Sequence, residues 1–164
     1  MHGAAGGPGD APIGGPTDDE LITAWGLLHE ALRDIDPMLL KGLDTSGGDM
    51  AGPWFEVLIR LQRSPEHRLP MSRLAREVSL SSGGFTKLAD RMAHKGYLAR
   101  ESCPTDRRVV YAVLTPAGRA IADEAKARHA ELLRKHVLSV IGPEGVGRLA
   151  ELARALRDSA RAGE

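Results

Sequence analysis

Two short groups of polar and basic residues have the types and spacing needed to hold a nucleic acid. The first group lies on one side of a predicted helix and consists of Ser81, Ser82, Gly83, Thr86, Lys87 and Arg91. The second group is the sequence Asp106-Arg107-Arg108, which lies in a predicted turn. Lysine and arginine bind phosphate oxygens, and several of these side chains can also donate hydrogen bonds to base edges. The two groups therefore predict a surface that binds double-stranded DNA.

The first group requires a helix that presents it to solvent, and the sequence predicts one over residues 81–95. Ser81 is a favourable N-cap, and Lys95 followed by Gly96 is a typical helix end. The apolar positions repeat with the helical period and form one inward face, which consists of Phe85, Leu88, Ala89 and Met92. The first group lies on the opposite, polar face of the same helix.

On that polar face, we expect Thr86 and Lys87 to enter the major groove of DNA and Ser82 to lie near a phosphate. Gly83 and Gly84 each cost a helix roughly 1 kcal/mol relative to alanine. We expect this turn to approach another backbone closely, either the preceding helix or a DNA phosphate. The free amides at a helix N-terminus also suit an anion.

A shorter helix is predicted directly before it, over residues 72–78. Ser72 is its expected N-cap and a further candidate for DNA contact. Its apolar positions repeat at intervals of one and three residues and are Leu74, Ala75 and Val78. A turn at Ser79 and Leu80 would join the two helices, as in a helix-turn-helix.

The second group would lie at the tip of a hairpin whose strands are predicted at 97–101 and 109–114. Because Asp106 and Arg108 are two residues apart, their side chains should project to the same side of an extended tip. We expect Arg108 to enter the minor groove while Asp106 holds it in place. Arg107 would then meet a phosphate or solvent. Two short helices followed by a two-stranded hairpin predict a winged helix-turn-helix.

These residues resemble the signature run of the MarR (multiple antibiotic resistance regulator) family. The similarity is carried by residues 80–92, by Lys95-Gly96-Tyr97-Leu98-Ala99-Arg100, by Asp106-Arg107-Arg108 and by Leu114-Thr115-Pro116-Ala117-Gly118. The resemblance implies a mainly α fold with a small β wing, and a homodimer that binds a pseudo-palindromic operator. It also implies a transcriptional regulator, which is expected to act as a repressor rather than an activator.

The family resemblance further implies a ligand site, because many members lose DNA affinity when a small phenolic or aromatic acid binds. In the family such ligands lie between the dimerisation helices and the winged lobe, which makes Trp25 and His29 the candidate ligand residues. The chain departs from the family at Gly83, where a polar side chain is frequent, and at Lys87, where arginine is common. Both departures concern which operator sequence is read.

The remaining segments are predicted to form a tail and dimerisation helices. Residues 1–16 are rich in glycine and proline and are expected to be a disordered tail. Residues 17–164 are expected to form a single domain, with dimerisation helices at 17–50 and 116–164 around a DNA-binding lobe at 53–115. A capping box is expected at the start of the first helix, a kink or interruption at Pro37, and a break after Ile141 at Gly142-Pro143. The residues expected at the dimer interface are Leu21, Leu149, Leu152 and Leu156.

The charge distribution agrees with a DNA-binding lobe inside a neutral protein. The chain has 22 basic and 22 acidic residues. Residues 1–60 contain ten acidic and three Lys/Arg residues, whereas residues 68–108 contain four acidic and nine Lys/Arg residues. The net charge is therefore −7 in the first segment and +5 in the second, where a DNA-binding surface requires it.

A few other residues suggest different functions. Cys103, the sole cysteine, excludes an internal disulfide and suits a reducing cytoplasm, although a thiolate favoured by Arg107 and Arg108 would permit redox sensing. Histidines at positions 129 and 136 share a helix face without further metal ligands, so neither a metal nor another cofactor is expected.

No catalytic arrangement indicates an enzyme, and no apolar run is long enough to span a membrane. The remaining alternative is a winged-helix module used only for protein contacts.

Overall fold

The computed structural model describes residues 15–43, 52–78 and 80–163. The α-helices in these ranges are α1 (Asp18–Leu43), α2 (Pro53–Gln62), α3 (Met71–Glu77), α4 (Ser82–His94), α5 (Pro116–Leu133) and α6 (Ser139–Ala162). The strands are β1 (Arg68–Pro70), β2 (Leu98–Ser102) and β3 (Val110–Leu114). The predicted mainly α fold with a small β wing is therefore confirmed. Nearly all of the predicted tail, and residues 44–50 of the predicted dimerisation segment, lie outside the described residues.

The chain divides at Pro37 into two units, 1–36 and 37–164. In the first unit, the predicted capping box is present at the start of α1. Thr17 donates its backbone N–H to the Glu20 carboxylate at 2.8 Å, and the Glu20 amide donates to Thr17 Oγ1 at 3.3 Å. A kink or an interruption was expected at Pro37, and the structure shows no interruption, because α1 runs through this residue to Leu43. Pro37 and Arg33, one turn before it, are both exposed, so water can serve the carbonyl that proline leaves unbonded.

The second unit contains a three-stranded antiparallel sheet in the order β1-β3-β2. Strand β3 lies in the centre, with Leu69 opposite Ala112 on one side and Leu98 opposite Leu114 on the other. The prediction of two strands was incomplete, because β1 has only three residues and is too short to show an alternating pattern. Its Pro70 lacks an N–H, which an edge strand tolerates.

The hydrophobic core lies between the sheet and helices α2, α3, α4 and α5. The face predicted to point inward on α4 is confirmed as buried, and it consists of Phe85, Leu88, Ala89 and Met92. Helix α2 buries Trp54, Val57, Leu58 and Leu61 in the same core. Strand residues Leu98, Ala112 and Leu114 complete this core from the other side. Since both helices bury one face here, the opposite face of α4 is left toward solvent.

The two helices of the helix-turn-helix, α3 and α4, are capped differently at their N-termini. Ser81 is the N-cap of α4, as predicted, and its hydroxyl oxygen accepts from the Gly84 amide at 3.2 Å. The prediction that Ser72 caps α3 was wrong, because α3 begins at Met71 and Pro70 occupies the N-cap position without a side-chain hydrogen bond. Ser72 therefore lies inside the first turn and is exposed.

Thr115 joins the end of α4 to the start of α5. Its hydroxyl donates to the Gly96 carbonyl at 2.6 Å and accepts from the Gly118 amide at 2.9 Å, while its backbone N–H donates to the Tyr97 carbonyl at 3.1 Å. A Cβ atom on Gly118 would lie 2.0 Å from that same Tyr97 oxygen. The sequence Leu114-Thr115-x-x-Gly118 thus holds the end of α4 close to the start of α5, and this contact is called the joint between the two helices.

The long C-terminal helical region is less regular than the sequence indicates. After α5, a π-helical turn spans Arg134–Leu138 and leads directly into α6. The predicted break at Gly142 is confirmed, because this residue has φ 68° and ψ 174°, outside the helical region. Glycine adopts this conformation at no steric cost, and Pro143 then suits the first turn of the helix that follows.

Candidate nucleic-acid interface

The polar face of α4 is exposed on the side of the helix opposite its buried residues. Its exposed residues are Gly83, Thr86, Lys87, Asp90, Arg91 and His94. An open groove on this face is lined by Gly84, Lys87, Asp90 and Arg91. The side chain of Ser82 lies outside the described part of the chain. The structure therefore brings together the other α4 residues that the sequence assigns to a DNA surface.

Gly83 and Gly84 were expected to allow close approach of another backbone, either that of α3 or a DNA phosphate. The space around them tests the first of these. Among the described residues, no atom lies within 4 Å of the position that a Cβ on Gly83 would occupy. At Gly84 the nearest atoms are side-chain atoms, Ser81 Oγ at 3.1 Å and Leu80 Cβ at 3.9 Å. Of the two expected partners, α3 therefore does not approach Gly83 among the described residues, and a DNA phosphate stays the prediction.

Strand β2 is attached to the polar face of α4 by an ion pair. Arg100 Nη2 donates to Asp90 Oδ1 at 2.7 Å, and both side chains are partly exposed. This ion pair holds β2, the first strand of the wing, against α4. Sequence reasoning missed Arg100 as part of the surface, because its only signal is an arginine on the strand that follows a polar helix face.

The wing tip contains the predicted pair of Asp106 and Arg108. The carboxylate of Asp106 accepts from Arg108 Nε and Nη2, each at 3.1 Å, and from the Arg108 backbone N–H at 3.0 Å. The Arg108 side chain is 91% exposed and that of Asp106 is 38% exposed. Arg108 holds the pKa of Asp106 below its usual range, and Asp106 in turn raises the pKa of Arg108. The tip thus presents an oriented, fully charged guanidinium to solvent.

Cys103 lies at the base of the same tip and is half-buried. Its Sγ is 3.3 Å from Thr105 Oγ1. The pKa of the thiol is lowered by hydrogen bonds from the Thr105 hydroxyl first, then from the backbone amides of Thr105 and Asp106, and from the Tyr111 hydroxyl. The expectation that Arg107 and Arg108 favour the thiolate was wrong, because hydrogen bonds within the turn cause the shift.

Trp54 is a buried core residue, and it also contacts the cations of α4. Arg91 Cζ lies 5.9 Å and Lys95 Nζ lies 5.7 Å from the centroid of its ring. The ring of Tyr97 meets it edge-on, with centroids 6.1 Å apart. Sequence reasoning could not find these contacts, because α2 and the end of α4 are about 40 residues apart in the chain.

The residues expected to bind a ligand or a second copy of the chain are exposed. In the first unit, Trp25 and His29 are adjacent, with an edge-to-face contact between ring centroids 5.1 Å apart. The expected dimer residues Leu21, Leu149, Leu152 and Leu156 are each exposed by 45 to 54%. Across the described ranges, no group of three or more His, Cys, Asp or Glu residues could hold a metal ion.

None of the helices in the described ranges has both the length and the apolar character required to cross a membrane.

Comparison with known proteins gives concordant results. A family model described as the MarR family matches residues 49–109. The chain is 28% identical to the HTH-type transcriptional regulator MhqR of Bacillus subtilis over 126 residues, which cover 77% of this chain and 83% of that protein. It is 29% identical to the multiple antibiotic resistance protein MarR of Salmonella typhimurium over 131 residues, covering 80% and 88% of the two chains.

Solved structures agree with these relatives. The MarR family transcriptional regulator AbsC from Streptomyces coelicolor superposes with a TM-score of 0.75 at 28% identity, over 90% of this chain and 97% of that one. Sco3205, a regulator of the same family from the same organism solved in complex with DNA, gives a TM-score of 0.74 at 26% identity, over 88% and 93%. The chain is therefore similar to MarR family transcriptional regulators, through residues 49–109 by the family model and over most of its length by these relatives and structures.

Proposed function

We propose that this protein binds a pseudo-palindromic operator as a homodimer and represses transcription of the adjacent genes. The observation that carries the proposal is the Asp106–Arg108 pair, which presents an oriented guanidinium at the tip of the wing. This tip belongs to the same lobe as the exposed polar face of α4, in a segment with a net charge of +5. The structure of Sco3205 in complex with DNA supports the assignment of such a lobe to duplex binding.

Each part of the lobe has a proposed role on the duplex. Thr86 and Lys87 on α4 contact base edges in the major groove, because both are exposed on the face opposite the core. The open first turn at Gly83 and the α4 amides receive a phosphate, and the exposed Ser72 on α3 contacts the backbone nearby. Arg108 enters the minor groove, and Arg107 meets a phosphate.

Dimerisation follows from apolar surface that a single chain leaves exposed. On α6 the exposed apolar side chains include Val146, Leu149, Leu152 and Leu156, and on α1 they include Leu21 and Trp25. Helices with such stripes require a partner surface, and a two-fold pair of lobes matches two half-sites one DNA turn apart. We therefore assign residues 17–50 and 116–164 to dimerisation and residues 53–115 to DNA binding.

Release by a small aromatic acid is the second part of the proposal. The adjacent rings of Trp25 and His29 offer an aromatic edge and a hydrogen-bonding nitrogen within one short stretch of α1. Screening small aromatic acids for release of bound DNA tests this part separately. If Trp25→Leu and His29→Ala leave the potency of an active compound unchanged, the ligand site lies elsewhere.

The central experiment selects bound sequences from random duplex DNA and measures affinity for the selected site across a range of salt concentrations. We expect an inverted repeat, with affinity that falls as salt rises because cations are released from the phosphates. Lys87→Ala should weaken binding by about 1–3 kcal/mol and relax the preference at one base pair per half-site. A protein-interaction module would show no salt-dependent duplex binding, and that result would refute the proposed function.

A further inference from the structure

Arg100 lies where the hydrophobic core ends and the wing begins. Leu98, two residues earlier, projects from the same face of β2 and is only 5% exposed in the core. Arg100 continues that face beyond the core and donates from Nη2 to Asp90 Oδ1 of α4 at 2.7 Å. The ion pair therefore connects the strand that leads into the wing with the polar face of α4.

The level of this ion pair along the sheet is where the sheet narrows from three strands to two. Strand β1 pairs with β3 only as far as Tyr111, which lies opposite Pro70. Arg100 lies opposite Ala112, next to that last pair. Beyond it, β2 and β3 continue toward the tip as a two-stranded ribbon, and such ribbons twist more strongly and are less stable alone than wider sheets. The ion pair thus holds the ribbon at the level at which the support of the third strand ends.

Neither stability nor charge explains a carboxylate at this place. The side chains of Arg100 and Asp90 are 42% and 56% exposed, and an ion pair this exposed contributes little to folding. Asp90 also lines the groove on α4 together with Lys87 and Arg91, on the surface proposed to meet phosphates. A carboxylate there repels DNA by its charge, whereas one that positions the wing can favour binding.

The two contacts proposed for DNA lie on either side of this ion pair. Lys87 is on α4, three residues before Asp90, and Arg108 is at the tip of the ribbon that contains Arg100. Simultaneous contact with the major groove and with the adjacent minor groove requires a fixed distance between α4 and the tip. A ribbon that is held in place before DNA arrives loses less conformational freedom on binding.

We propose that the ion pair of Asp90 and Arg100 sets the position of the wing relative to α4, and that both are positioning residues for the minor-groove contact of Arg108. This inference rests on the proposed DNA-binding function. It gives Asp90, an acidic residue on a surface for a polyanion, a role that does not require contact with DNA.

The test compares Asp90→Asn and Arg100→Gln, singly and together, on two duplexes that share the selected operator and differ in their flanks. One duplex has A·T-rich flanks and the other has G·C-rich flanks, because a narrow A·T-rich minor groove attracts an inserted arginine. Glu101→Gln is the matched control, since it removes an exposed carboxylate from the same strand without removing either partner of the ion pair. Thermal unfolding and sedimentation establish that each variant is folded and retains the assembly of the unchanged protein.

Asp90→Asn is expected to weaken binding to the A·T-flanked duplex about 2- to 10-fold, because the wing must then be ordered during binding. The ratio of its affinities for A·T-rich and G·C-rich flanks should fall toward one. Arg100→Gln should reduce the same ratio, and adding Asp90→Asn to it should cause no further weakening. Glu101→Gln should keep the ratio of the unchanged protein and bind at least as tightly.

Charge alone predicts the opposite sign for Asp90→Asn, since the substitution removes an anion and releases Arg100 for contact with DNA. If this variant binds as tightly as the unchanged protein or more tightly, the inference is overturned. A loss of affinity by the same factor on both duplexes would also overturn it, because a general disturbance of the lobe has no flank dependence. Should Asp90→Asn not fold, the affinity ratio of Arg100→Gln decides by the same criterion.

The behaviour of the unchanged protein separates this inference from the proposed function. If it shows no salt-dependent binding to duplex DNA, the proposed function itself fails. If it binds without a preference between the flanks, the minor-groove contact of Arg108 and this inference fail together. If it binds with a flank preference that Asp90→Asn and Arg100→Gln both retain, only the positioning role fails.

Discussion

Asp106 and Arg108 form a pair in which an acidic residue orients an exposed cation. The carboxylate is held by both side-chain and backbone donors of Arg108, which fixes the guanidinium before any partner arrives. Arginine otherwise loses rotamer freedom when it is inserted into a groove. The spacing of two residues was sufficient to predict this pair from the sequence, because both residues lie in one short turn.

We expect Asp106→Ala to weaken DNA binding, by roughly 2- to 10-fold, because Arg108 must then be ordered during binding. Simple electrostatics predicts the opposite sign, since the substitution removes a negative charge near DNA. Glu101→Ala is the control, because it removes an exposed acidic residue from β2 without affecting the tip. Fluorescence anisotropy with an operator duplex measures both variants. Tighter binding by the Asp106→Ala variant would refute preorganisation.

The same pair predicts a titration behaviour. The pKa of Asp106 lies below its usual range because Arg108 donates to the charged carboxylate. A carboxyl group with a depressed pKa in the folded state contributes stability at neutral pH, and this contribution is lost as pH falls through the depressed value. Carbon-13 NMR of the Asp106 carboxyl should show this low pKa, and Arg108→Ala should return it toward the usual range. A titration that Arg108→Ala leaves unchanged would show that another group causes the shift.

Among the elements, α4 was the most predictable because apolar residues recur along it with the helical period and a serine caps its start. Strand β1 was not predictable, because three residues carry no period, and neither was the start of α3, where Pro70 replaces a capping side chain. Contacts between distant parts of the chain, such as Trp54 with Arg91, depend on packing that a linear pattern does not contain. Sequence therefore predicts which face of an element is buried more reliably than what that face touches.

The joint between α4 and α5 gives a prediction at this scale. Gly118→Ala should destabilise the protein by about 1–3 kcal/mol or more, because the new Cβ would lie 2.0 Å from the Tyr97 carbonyl oxygen. Gly147→Ala in α6 is the control: among the described residues no atom lies within 4 Å of its Cβ position, so it should stabilise slightly. Urea unfolding at a fixed protein concentration compares them. Equal midpoints for the two variants would show that the joint relaxes.

For the whole molecule, the exposed apolar side chains and the basic segment lie in different parts of the chain, which agrees with the proposed division between assembly and DNA contact. The exposed apolar side chains of α6 lie outside the basic segment 68–108. A charge placed on α6 should therefore affect assembly first and DNA binding only through assembly. This separation was visible in the sequence, because charge and helical periodicity are both local properties.

If the proposed dimer forms through α6, we expect Leu152→Asp together with Leu156→Asp to yield a monomer, because two charges would be buried in an apolar interface. Both leucines are about half exposed in the single chain, so the fold of each lobe should persist. Sedimentation gives the mass, and Arg154→Ala, on the same helix, serves as a matched control. A double variant that still sediments at twice the chain mass would place the interface elsewhere.

The hydrogen bonds of Thr115 also determine at which positions the chain tolerates inserted residues. Gly96 and Tyr97 precede the hairpin of β2 and β3 and Thr115 follows it, and hydrogen bonds connect these residues directly. Residues added to the tip between Cys103 and Val109 extend a loop whose ends remain fixed, so α4 and α5 keep their positions. An insertion between Thr115 and Gly118 would instead separate the hydroxyl of Thr115 from the amide that it caps. The length of the wing can thus vary independently of the helices that carry it.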